Sequence, residues 1–351
     1  MATVGLKGIW GLEQLDKTGI ATWKLGLMLM GVAAPVGYVL SMLISGMEPN
    51  PVLPSISPQA ITAITFGFAF ITAGTVVSLL AFARSIETDL QALALFDSVI
   101  DVSIARLRPK RALRGTCVVL GLLLGCLLFP ILASHGPQLN LTVIEAFLAY
   151  AAGGPYMIVG FIIMPIQGLL MGACWAVGIS QINSLIHAAR HIKIDFLQLS
   201  DYAAIANPGV RLSIYFISLL SAFPLMILYA DDPATNAMLM RVLPIIVFLA
   251  VGVLLPHAYP VWILKNRIRD KKTAEMGQIT RALRGDKEAV KTIDIHALDA
   301  PTTAADLLTH RMFLDSLWDW PIASHVQKLI LFGLLPPLTW VVAAMIENAM
   351  Y

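Results

Sequence analysis

The chain has 351 residues, of which 58% are hydrophobic and only 13% charged, and its mean hydropathy is +0.77. A soluble chain is about 25% charged overall, roughly twice this value, so most of this surface is built to face lipid. The formal net charge of +2 offers no global attraction for nucleic acid or acidic substrates, and the expected partner is the lipid bilayer. Cys117, Cys126 and Cys174 lie in apolar runs without CxxC spacing. They read as small buried hydrophobes rather than disulfides or metal ligands.

Residues 1–24 mix charge and apolar groups without the zones of a cleaved leader. Leu6, Ile9, Trp10, Glu13 and Lys17 predict a short amphipathic helix lying at the membrane interface. About seven runs of spanning length follow, over 25–46, 60–83, 115–134, 155–182, 211–230, 240–263 and 328–346. Their connections alternate in charge. Arg84 to Arg114, Arg190 to Arg211 and Lys265 to Lys291 are rich in Lys and Arg, whereas EPNPVLPSISP, SHGPQLNLTVIEA and ADDPATNAMLMR are nearly free of them. Basic connections stay in the cytoplasm, which places the N-terminus inside and the C-terminus outside. The expected fold is an all-α polytopic membrane bundle of about seven transmembrane helices. The rival count is six, with the first or last run packed within the protein.

The domain organisation follows from the same pattern: an interfacial segment 1–24, a six-span bundle 25–264 with helical extensions 84–114 and 183–210, a cytoplasmic stalk 265–320, and a last span 321–351. From Ala83 to Leu107 apolar residues recur every three or four positions with no breaker. This predicts one helix projecting roughly 35 Å beyond the bilayer. The sixth span continues likewise to a stop at Gly285. Thr303 and Asp306 form a variant capping box that opens a further helix. That helix must end before Pro321, because proline disfavours helix in the residue ahead of it. Trp318 and Trp320 then sit where an aromatic belt belongs, and Asp319 can cap the helix that Pro321 starts. Trp318, Asp319, Trp320 and Pro321 thus read as an elbow between a cytoplasmic helix and a membrane helix. Gly121/Gly125, Gly168/Gly172/Ala176 and Gly74/Ser78 are spaced for close helix packing, within the chain or between copies.

The tail carries Trp320-Pro321, Pro336-Pro337, Thr339-Trp340 and Glu347. It resembles the tail of a family of uncharacterised bacterial polytopic membrane proteins, with Ile322 and Ala323 departing from the Phe and Asp of that pattern. The stretch around Asp195 to Arg211 is similar to that family's linker. The resemblance covers about a fifth of the chain, implies a bacterial inner-membrane location and brings no activity with it. At the level of topology alone, the long helix extensions and the last helix after a cytoplasmic segment look like the insect odorant and gustatory receptors. Those are tetrameric ligand-gated cation channels whose final helix lines the pore. None of their short motifs is present, so no residue is carried over.

Candidate chemistry is sparse. His187, His191 and Asp195 are spaced i, i+4, i+8, which puts them on one helix face at metal-ligand spacing; a packing or lipid-facing pair of histidines is the alternative. His257 and Tyr259 in PHAYP read as a pocket or gate, or as an interfacial pair capping backbone freed by the prolines. Gln167 is polar at mid-span and either lines a cavity or bonds across helices. Pro336 and Pro337 break the last span beside Thr339, a pore-lining kink or a packing kink. No ionisable residue lies mid-span, there is no inverted repeat, and no Walker, GxSxG or retinal-lysine signature occurs. Enzyme and transporter readings drop, and no cofactor is expected beyond that metal alternative. The readings left are a homo-oligomeric channel or sensor, tetramers included, an accessory subunit bound to other membrane subunits, and a metal-dependent membrane enzyme.

Overall fold

The computed structural model describes residues 3–48, 58–95, 97–134, 142–211, 233–293 and 303–320. Every element among them is helical, and no strand occurs in the described residues. Three helices are long and apolar enough to cross a membrane: Thr22–Ser45, Thr65–Ala94 and Val159–His191. This points to a membrane protein. The runs expected over 115–134 and 240–263 are helical too, while those over 211–230, apart from Arg211, and over 328–346 lie outside the described residues.

Helix α1 (Trp10–Lys17) follows a 3-10 turn at Val4–Leu6. The expected helix is present, but its apolar face meets protein. Leu6 and Leu12 are buried with Leu25, Leu79, Leu80, Ala83 and Val177. Asp16, one turn after Leu12, is buried on the same face and takes Arg84 as partner at 2.7 Å.

Helices α2 (Thr22–Ser45) and α3 (Pro58–Ala94) pair. Gly37 permits their contact, since a Cβ there would lie 3.0 Å from the Cα of Phe66. Ser41 and Thr62 share a hydrogen bond of 3.0 Å across the same seam. The predicted unbroken helix through Leu107 does not form. Helix α3 stops at Ala94 and α4 (Val99–Arg106) starts anew. Asp97 causes the break: one carboxylate oxygen accepts the Val99 N–H at 3.0 Å and the other the Lys193 N–H at 2.8 Å. Beyond residue 83 the helix therefore runs only about 17 Å before the chain folds back.

Helices α5 (Arg111–Ser134) and α8 (Met164–His191) make the tightest seam. Gly121 and Gly125 meet Gly168, Gly172 and the Met164 carbonyl, so closely that a Cβ on Gly121 would overlap the Gly168 carbonyl oxygen. The small-residue spacing serves this seam within the chain. Between them lie α6 (Val143–Ala151) and α7 (Pro155–Ile158). A full capping box of Thr142 and Glu145 opens α6 inside a stretch expected as loop. A π turn at Val159–Ile163 precedes Pro165. Proline lacks an N–H and crowds the carbonyl four residues back, and the wider turn relieves that crowding.

Below the spans, the extensions share one core. The lower half of α3, α4 and the end of α8 bury Leu90, Leu93, Ile100, Leu185 and Ile192. A helix over 203–211, α9, adds Ile205, and α10 (Pro233–Leu283) adds Leu264, Ile268 and Ile279. Short α11 (Lys287–Thr292) and α12 (Ala304–Ser316) close it with Ala289, Leu307 and Leu314. At 51 residues, α10 is about 76 Å long, more than twice a hydrocarbon thickness of about 30 Å. It stops as predicted: Gly285 has φ +98° and Asp286 caps α11 through the Glu288 and Ala289 N–H groups. No atom comes within 4 Å of a Cβ built on Gly285, so Gly285→Ala meets backbone strain alone. It should cost about 1 kcal/mol, read as a lower thermal midpoint by helical circular dichroism with the folded signal unchanged.

Candidate functional site

Helix α10 is the spine of the polar layer, and two of its faces hold neighbours. On one face, Arg267 donates to the carbonyls of Ala189 at 2.9 Å and Ile192 at 3.0 Å. Lys271 donates to the Ile194 carbonyl at 2.7 Å. Arg267 thus meets free carbonyls at the C-terminal end of α8, where a helix carries partial negative charge, and Lys271 one in the chain just past it. Burial pulls the Arg267 guanidinium below its ordinary value, and the carbonyls keep it satisfied.

The second face straps down the chain that precedes the last apolar run. Glu275 is buried, with its two oxygens 3.6 Å from Lys271 Nζ and 3.5 Å from His310 Nε2. Lys272 Nζ donates to the Leu317 carbonyl at 2.8 Å and lies 3.5 Å from Asp319 Oδ1. Lys265 Nζ sits 4.3 Å from the centre of the Trp320 ring, a cation–π distance. The pairs run in opposite senses: residues 310, 317 and 320 meet 275, 272 and 265. The segment therefore climbs α10 for about 15 Å toward its apolar half. Helix α12 ends before Pro321 as expected, but already at Ser316, with Leu317 extended, and its Thr303–Asp306 box closes in both directions at 2.8 and 3.2 Å. Asp319 faces Lys272 of α10, and Trp318 is exposed. Pro321, Pro336, Pro337 and Thr339 lie outside the described residues.

The metal face expected at His187, His191 and Asp195 does not form. Helix α8 ends at His191, and Ile192 turns extended at ψ 136°, so Asp195 leaves the face. Its carboxylate accepts the Leu197 N–H at 2.9 Å. The His187 and His191 rings stack at 4.3 Å, His187 Nδ1 pairs with Ser103 Oγ at 2.9 Å, and Ser184 Oγ donates to the Ser103 carbonyl at 2.6 Å. This is a clamp of α4 onto α8. Tyr202 continues it, accepting the Asp195 N–H at 2.6 Å and donating to the Lys193 carbonyl at 2.9 Å. Burial pushes the Tyr202 phenol up, which keeps its proton available to donate. Among the described residues no three of His, Cys, Asp and Glu gather as a metal-binding group.

Gln167 bonds across helices, donating to Thr72 Oγ1 and to the Phe68 carbonyl of α3. His257 and Tyr259 do not frame one pocket. His257 is buried near Gly209, whereas Tyr259 is exposed and stacks on Trp262 at 6.1 Å. Two residues apart on a helix point to nearly opposite sides. Sequence reasoning missed two polar anchors, Asp16 with Arg84 and Asp89 with Arg211 at 2.6 Å, and also the buried Gln181. Only the first had a local signal, the i, i+4 spacing of Leu12 and Asp16.

Fold and site together define a protein that is all-helical in its described residues, with helices suited to a membrane and a strapped polar layer. No family model, curated protein or solved structure matches the chain.

Proposed function

We propose that the protein is a membrane channel or sensor, built from copies of this chain, in which the polar helical layer works the last apolar run. The strap of residues 310–320 along α10 carries this reading. Residues 321–351 begin where that strap ends, so a shift of α10 moves the root of the last run directly. The broken stretch at Pro336, Pro337 and Thr339 is then the part that lines or gates the path, in a bacterial inner membrane with the polar layer on the cytoplasmic side.

The test is planar-bilayer recording of the purified chain. Thr339→Trp and Pro336→Ala should change unit conductance. Lys272→Ala, which frees the Leu317 carbonyl and Asp319, should change open probability several-fold at constant unit conductance. Unchanged records in all three variants sink the reading.

One observation favours a second reading, an accessory subunit of a larger complex. Leu308 and Met312 are one turn apart on α12 and both exposed in the polar layer. The mass of the detergent-solubilised particle from native membranes separates the two. A multiple of 38.0 kDa with no other chain favours the channel or sensor; unrelated stoichiometric chains favour the subunit.

A further inference from the structure

Between α4 and α5 the chain reads Arg106-Leu-Arg-Pro-Lys-Arg-Ala-Leu-Arg114, and no acid occurs from Val102 to Ile144. The N-terminal segment lies on this stretch at two points, and a third pair is joined by charge alone. Gly5 packs by Leu107, where a Cβ would come 3.8 Å from the Leu107 carbonyl oxygen. Gly8, at φ +91°, has the Arg114 guanidinium in the place a side chain would take. Arg108 lies within electrostatic reach of Glu13 on α1. Glu13 is the acid at this junction, and its charge is already engaged by the Gly8 N–H at 2.9 Å and by Lys17 at 3.0 Å. Lys110 and Arg111 are exposed, and no ion pair to either is present among the described residues.

About 12 Å above Arg111, the same helix turns aliphatic. Val119, Leu120, Leu123, Leu124 and Leu127 are each 43% to 55% exposed. A ligand that satisfies both zones has an anionic head and long apolar chains. A soluble polyanion engages only the lower zone, and a neutral lipid only the upper. Unpaired cations at a membrane edge favour an anionic headgroup, and guanidinium and ammonium groups suit a phosphodiester.

We propose that the ledge between α1 and the start of α5 is a binding site for an anionic phospholipid. Arg108, Lys110 and Arg111 hold the phosphodiester, and the chains lie along Val119 to Leu127. The site rests on the membrane reading and is independent of whether the last run gates anything.

Native mass spectrometry of the full chain in neutral detergent tests it, with palmitoyl-oleoyl phosphatidylglycerol and the matching phosphatidylcholine as probes. The parent should retain phosphatidylglycerol at least about tenfold better. The triple variant R108Q/K110Q/R111Q should fall to the phosphatidylcholine level. The triple variant R269Q/R281Q/R284Q, equal in charge lost but placed on and just past α10, should bind as the parent does. Equal loss in both triples, or no preference in the parent, overturns the site. Competition by glycerophosphoglycerol or inorganic phosphate as effective as the lipid itself overturns the lipid assignment, since it shows that the cations read phosphate alone. A photoactivatable phosphatidylglycerol gives a check on the parent that needs no variant: label within residues 106–127 is expected, and label confined elsewhere overturns the proposal.

Discussion

Gly121→Ala should destabilise the folded protein by about 2 kcal/mol and Gly121→Leu by about 3 kcal/mol or more, because the seam between α5 and α8 has no slack. A Cβ on Gly121 overlaps the carbonyl oxygen of Gly168, and one on Gly172 overlaps that of Cys117. Backbone stands on both sides, so no rotamer change relieves the clash and the helices must part. In lipid, helix association depends on close van der Waals packing, and a gap of under 1 Å forfeits a quarter to a half of each contact. Controls sit on the same helices: Gly115 and Gly178 have nothing within 4 Å of a built Cβ, so Gly115→Ala and Gly178→Ala should match the parent. The measurement is the fraction of monodisperse particle surviving a heating series in detergent. A Gly121→Leu protein as heat-resistant as the parent contradicts the seam.

The features legible in advance were those whose cause lies within a few residues. The Thr303–Asp306 box and the stop at Gly285 depend on local backbone alone. The small-residue spacing of α5 and α8 was legible too, though spacing cannot name the partner face. Failures share a distant cause. The break after Ala94 needs Asp97 to reach the Lys193 N–H, 96 positions away. At the end of α8 at His191, Arg267 of α10 takes the carbonyls of Ala189 and Ile192, and with that end went the histidine–aspartate face. The elbow was half legible. That the helix ends before Pro321 follows from local chemistry, but its stop already at Ser316 and the pairing of Trp320 with Lys265 and of Asp319 with Lys272 go with the antiparallel docking on α10. Asp16 was passed over because an acid in a short amphipathic helix normally faces water; its burial is set by Arg84, on another helix.

Asp16→Ala should undock the N-terminal segment while leaving the bundle folded. The Asp16 carboxylate accepts the Thr3 N–H at 2.5 Å and the Arg84 Nε–H at 2.7 Å, and Arg84 also donates to the Ile20 carbonyl at 2.8 Å and to Thr22 Oγ1 at 3.1 Å. Removing one partner of a buried pair costs about 3–5 kcal/mol. Arg84 keeps its other acceptors and some water, which brings the expected loss to about 2–3 kcal/mol, roughly a hundredfold in amide exchange over residues 3–20. Protonation should do the same. Burial alone would raise the Asp16 carboxyl, but the Thr3 N–H and Arg84 outweigh it and hold the group below the ordinary aspartate range. A lowered folded value means that the contribution is complete above the unfolded value of about 3.9 and disappears as pH falls through the folded one. Exchange over residues 3–20 should therefore stay slow from neutral pH to about 5 and, after correction for intrinsic rates, quicken below about 4. Glu87 accepts the Val4 N–H at 2.6 Å beside it, so the contribution of Asp16 is read as the difference between parent and Asp16→Asn. That variant keeps an acceptor for Thr3 but cannot titrate, and its acid limb should be flatter. Superimposable acid limbs in the two proteins place the anchor elsewhere.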